Sequence, residues 1–186
     1  MKIRRLLLPG LGLAALVALG VTGCFITSAQ VLVHFALGNS FTINGADGYD
    51  VIPVDLNTIS DYTKNKDKLK DISDLGIVGT FTNTNGTGGG VEFYISAGNP
   101  GLTTPAAIRA GATKLWGPGT IGSTGTTRTI TWNDSAALFD PAGKAILINE
   151  AKGDGVFTIY SIGSPGTVNN IRVDKGFLIL VINAGV

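Results

Sequence analysis

From Gln30 onward the chain alternates apolar and polar residues in short runs, and turn-forming residues close each run. QVLVHFALG puts Val31, Val33, Phe35 and Leu37 on one face of an extended strand and Gln30, Leu32, His34 and Ala36 on the other. FTIN (41–44) and VIPVDL (51–56) are shorter strands. The second suits a sheet edge, because Pro53 has no amide hydrogen to donate. GIVGTFTN (76–83) and VEFYIS (91–96) flank the turn-rich TNGTGGG and predict a hairpin. TTRTITW (126–132), VFTIYSI (156–162), NNIRVD (169–174) and GFLILVIN (176–183) complete the strands. The last is apolar on both faces, which predicts a central strand covered on both sides.

Three segments carry helix signals. SDYTKNKDKLKDI (60–72) starts at a capping Ser60 and brings Ile59, Tyr62, Leu69 and Ile72 near one face. TPAAIRAG has Thr104 as cap, Pro105 in the first position and Gly111 as stop. DPAGKAILINEAKG repeats that grammar with Asp140, Pro141 and Gly153, although its AILIN would also make a strand. About nine short strands with small helices in the connections predict a mainly β fold, a β-sandwich spanning residues 31–186. An immunoglobulin-like arrangement is one form of it, and an open barrel is the alternative.

The first 23 residues follow another rule. MKIRR brings three cations and no acid, and Leu6 to Gly23 is a run of apolar and small residues. Together they have the form of a secretory signal peptide. As a permanent membrane span the run is near the lower length limit, and Pro9 and four glycines weaken it further. The run ends at Cys24, the only cysteine, so no disulfide can form within the chain.

Val21-Thr22-Gly23-Cys24 resembles the lipobox of bacterial lipoproteins: an aliphatic residue, a small one, Gly or Ala, then Cys. The resemblance covers residues 1–24 only. It implies that residues 1–23 are removed, that the Cys24 thiol receives a diacylglyceryl group, and that the new amino terminus is acylated. Phe25 stands where the family's inner-membrane retention signal places Asp, which implies the outer membrane of a two-membrane bacterium. In a single-membrane bacterium the location becomes the outer face of the plasma membrane. Residues 24–30 then form the lipidated terminus and a short tether. The competing readings are a conventional signal peptide with an incidental cysteine, and a retained anchor. Lipid arithmetic suits the lipobox: one acyl chain binds a bilayer only marginally, whereas two or three on Cys24 would hold the protein there.

Charge narrows the partners. Three of the 14 cations lie in the leader, leaving 11 against 13 acids, so the mature chain is slightly acidic. Nucleic-acid binding needs a concentrated basic surface and is not expected. The membrane, through the lipid on Cys24, is the expected partner, with an envelope protein or a surface polymer beyond it.

The catalytic inventory is thin. His34 is the sole histidine, and no serine sits in a Gly-x-Ser-x-Gly turn; GSTG (122–125) lacks that spacing. Glycoside hydrolysis needs two opposed carboxyls, but nothing in the sequence pairs Glu92 or Glu150 with a particular aspartate. NTNGTGGG (83–90) and GPGTIGSTG (117–125) lack the lysine and following helix of a phosphate loop. No enzymatic activity, cofactor or catalytic residue is expected.

Three features invite binding. Asn44, Asp47 and Asp50 in NGADGYD are weak calcium candidates around a turn, without the EF-hand spacing. Lys64, Lys66, Lys68 and Lys70 are interrupted by Asp67 and Asp71 and predict a solvated helix face, with weak contact to acidic lipid or polysaccharide as the alternative. Trp132 is in phase with Ile130 and predicts core, whereas Trp116 lies among glycines in KLWGPG and predicts an exposed loop residue. Trp116 is therefore the candidate ligand-binding residue, able to stack on a sugar ring. The expected function is a non-enzymatic, membrane-anchored envelope accessory or protein-interaction module; a carbohydrate or surface-polymer binding module is the alternative.

Overall fold

A computed structural model describes residues 28–38, 40–45, 47–165 and 169–185. The leader, the lipobox and Cys24 lie outside the described residues. The fold is mainly β: two antiparallel sheets face one another across a common core. Among the described residues no helix is long and apolar enough to cross a membrane.

The strands are β1 (Ser28–Ala36), β2 (Ser40–Asn44), β3 (Tyr49–Asp55), β4 (Leu69–Gly86), β5 (Gly89–Ala97), β6 (Thr113–Ile121), β7 (Thr127–Ile130), β8 (Val156–Gly163) and β9 (Asn169–Gly185). Four short helices join them: α1 (Ser60–Thr63), α2 (Pro105–Gly111), α3 (Trp132–Ala136) and α4 (Pro141–Lys152). The first sheet runs β1-β9-β4-β7, with β2 also paired to β9; the second runs β3-β8-β5-β6. First and last strands are neighbours in one sheet, unlike the immunoglobulin order in which they lie in opposite sheets.

Alternation explains the layers. In β1, Val33 and the following Leu37 are buried while Leu32, His34 and Ala36 face out. In β9, Leu178, Leu180 and Ile182 face inward, opposite Phe93, Ile95 and Ile159 of the second sheet's buried face. β3 lies at an edge, where Pro53 costs no ladder hydrogen bond to a second neighbour.

β9 replaces the two separate strands expected at 169–174 and 176–183. β2 pairs along Asn170–Asp174 and β1 along Phe177–Gly185, so both occupy the same side of β9. Between them Lys175 has φ 51°, and Gly176 accepts the Leu37 amide. On β4 the register slips between Val78 and Thr80, at Gly79, whose added Cβ would meet Gly176 Cα at 3.2 Å. Facing glycines let the two long strands approach closely at this irregularity.

Two local expectations are corrected. The segment 60–72 is not one helix: α1 ends at Thr63, and β4 takes residues from Leu69. Leu69 pairs with Ala184 and Ile72 with Ile182, so a distant strand overrides local helix preference. Tyr62 remains, buried, donating its hydroxyl to the Ala151 carbonyl at 2.8 Å. The segment TNGTGGG is not a hairpin, because β4 and β5 belong to different sheets. Buried Asn83 makes the corner instead, donating to the Thr87 and Gly122 carbonyls and accepting the Asn85 amide.

Candidate binding groove

The outer face of the first sheet carries the strongest surface feature. β1 presents Gln30, Leu32, His34 and Ala36 outward, and Leu32 is 55% exposed. Across the ladder these residues face Asn183, Val181, Ile179 and Phe177 of β9. GFLILVIN is central, as expected, but its outer side is only partly covered: Ile179 and Val181 are half-buried and Phe177 is 37% exposed. A groove of about 850 Å³ lies there, bounded by Leu32, Ile179, Val181 and Trp132 with Gln30, His34, Ser73 and Asp74 at its polar edge.

Trp132 forms the far wall. It does not continue β7: Thr131 ends the strand and caps α3. The Thr131 hydroxyl and amide both donate to Asp134, at 2.7 and 3.1 Å, and the Asp134 amide returns to the Thr131 hydroxyl. That reciprocal pattern satisfies two otherwise orphan amides. The Thr131 hydrogen bonds hold the Asp134 carboxyl below the usual carboxylate range. A methyl group on Gly76 would lie 2.8 Å from the Trp132 ring, so the glycine on β4 creates the space in which the indole lies.

Trp116 is buried to 0% exposure, which corrects its assignment as an exposed sugar-stacking residue. Its ring packs against Phe81 and Phe93, at centroid distances of 6.1 and 5.4 Å. A Cβ on Gly119 would sit 2.6 Å from the indole. The flanking glycine therefore clears room for a large ring in the core; it does not mark an exposed turn.

The two tryptophans have thus exchanged their expected roles, and Ser135 connects them. Its buried hydroxyl accepts the Trp116 indole N–H at 3.0 Å and the Ile77 amide at 2.7 Å. Ser135 belongs to α3, three residues beyond Trp132. Buried Trp116 thereby fixes the helix that presents half-exposed Trp132.

The other candidates lie on several elements. Asn44 ends β2, Asp47 is exposed in the turn, and Asp50 lies on β3 with its carboxylate accepting the Val51 amide. Among the described residues no group of three or more His, Cys, Asp or Glu could hold a metal ion. The lysine series falls on the C-cap of α1 (Lys64), a following 3-10 turn (Lys66 and Lys68) and the start of β4 (Lys70), not on one helix. Lys66 is held inward, donating to Asn57 and to the Asp154 carbonyl, with its ammonium over the Tyr62 ring.

Sequence reasoning missed one charged cluster. Glu92 of β5 is 7% exposed; Lys114 of β6 reaches it at 3.0 Å, and Arg109 of α2 at 3.8 Å. Tyr94 also donates to Glu92, at 3.3 Å, and burial followed by the Glu92 charge raises the phenol's pKa. Arg109 donates further to the Gly163 carbonyl at 2.6 Å. These contacts bind α2 to the outer face of the second sheet, where its Ile108 packs with Tyr94, Tyr160 and Ile162. The one signal in the sequence was Glu92 interrupting an otherwise apolar run.

Comparison with family models, curated proteins and solved structures finds no match for this chain.

Proposed function

We propose that the chain is a lipid-anchored envelope protein whose β-sandwich works by binding, through the outer face of its first sheet, and not by catalysis. The observation that carries the reading is a juxtaposition. β1, which supplies Leu32 and His34 to the groove, begins four residues after the lipobox cysteine. Anchor and groove therefore belong to one end of the chain, and the mature protein would hold this face near its membrane. The outer membrane is the proposed site in a two-membrane bacterium, since Phe25 replaces the retention aspartate.

Cell fractionation of wild type against Cys24→Ala tests the anchor. The wild type should sediment with membranes and require detergent for release, whereas Cys24→Ala should lose that requirement. Wild-type protein recovered free of membrane would overturn the reading.

A polymer-binding role is the second reading, and Trp132 supports it in place of Trp116. Trp132 offers a half-exposed ring beside Gln30, His34, Ser73 and Asp74, the combination of apolar face and polar partners on which sugars stack.

A further inference from the structure

We infer that the outer face of the β1-β9-β4 sheet rests on the headgroup–acyl boundary of the bilayer that carries the Cys24 lipid. This rests on the anchored reading above and names what the groove meets.

Reach comes first. Ser28 pairs with Gly185, so the chain is held in the sheet by Ser28, four residues after Cys24. Four residues at about 3.5 Å each allow a tether of at most roughly 14 Å. A domain near 160 residues has a radius of gyration of about 15 Å. A tether this short keeps the part of the domain around Ser28 close to the membrane.

Chemistry selects the face. Five large hydrophobic residues are exposed among the described residues, and two of them, Leu32 and Phe177, lie on this surface. Ile179, Val181 and Trp132 join them into a stripe. The Leu32–Val181 and Ala36–Phe177 pairs are four positions apart, so the stripe runs roughly 13 Å along the strands. Exposed aliphatic groups beside a tryptophan suit the membrane–water boundary, where the indole's apolar body and polar N–H are both satisfied.

Cations stand at both ends. Gly185, the ladder partner of Ser28, lies against Lys70, with the Lys68 backbone adjacent. Lys175 is exposed two residues before Phe177. Anionic headgroups attract lysines at such positions. Asp74 lines the groove, and its carboxylate accepts the Leu75 amide at 2.8 Å.

Tryptophan emission reads this contact directly. Lipidated protein purified from membranes would be placed in phosphatidylethanolamine–phosphatidylglycerol vesicles, with and without bromine on the acyl carbons nearest the headgroup. Buried Trp116 supplies an unquenched baseline. Docking predicts a partial loss of emission with brominated lipid that disappears in Trp132→Phe. The loss should also disappear in Leu32→Asp/Phe177→Asp, whose replaced side chains are exposed in the fold. Intact mass of the same sample separates the two levels. A chain acylated at Cys24 but equally bright in both vesicle types overturns docking alone. An unacylated cysteine overturns docking and anchoring together. Emission that ignores bromine but shifts on adding cell-wall glycan overturns docking in favour of the polymer reading.

Discussion

Trp116→Ala should unfold far below the wild type, at a cost of about 3–5 kcal/mol. The side chain has no exposure and lies between Phe81 and Phe93. Removing it leaves a cavity between the sheets and takes one donor from Ser135. For a domain of this size such a loss lowers the melting temperature by roughly 6–20 °C. The substitution should also loosen α3 and change the surroundings of Trp132, because Ser135 joins the two. Thermal melts followed by far-ultraviolet circular dichroism check the first effect, and the emission maximum of the remaining tryptophan checks the second. A Trp116→Ala protein with wild-type stability would show that the indole is not part of this core.

Gly143→Ala should be severely destabilising although alanine is the better helix former. Gly143 is buried in α4 where the helix crosses β6. A Cβ there would lie 2.1 Å from the Lys114 carbonyl oxygen and 2.5 Å from Leu115 Cα. Both are backbone atoms, so no side chain can swing aside; the helix must move off the sheet. Overpacking of this kind costs about 3 kcal/mol or more. The control is Ala145→Gly on the exposed side of the same helix, expected to cost only about 1 kcal/mol from propensity. Chemical denaturation of both variants checks the ordering, which propensity alone would reverse.

These two glycine and tryptophan sites show what was legible in the sequence. Period-two alternation located β1 and β3, because each buries one face against the same core; β8 was located as well, although it is buried on both faces. The caps Thr104 and Asp140 located α2 and α4, because a cap is a local hydrogen bond to its own helix. The helix expected at 60–72 failed beyond Thr63 because Leu69 and Ile72 are claimed by strand partners more than a hundred residues away.

The tryptophans were misassigned for a related reason. The glycines around Trp116 read as a turn, yet Gly119 is the space into which its ring fits; Trp132 read as core from its phase with Ile130, yet the strand ends before it and its ring lies over the distant Gly76. Only Glu92 itself hinted at the charged cluster, because its partners Lys114 and Arg109 come from β6 and α2. The groove was half legible. The two-faced apolar strand was plain in GFLILVIN, but its outer face is covered only in part, with Trp132 alone standing against it from α3.

The central claim is that this sandwich is held to a membrane at Cys24, with the face beginning at β1 beside it. Intact-mass measurement of the mature protein, purified in detergent from the membranes of its own cell, tests that most directly. The account predicts a chain that starts at Cys24 and carries the mass of a diacylglyceryl group, with further acyl mass on its new amino terminus. A chain with a free Cys24 thiol, or one still bearing residues 1–23, would contradict it.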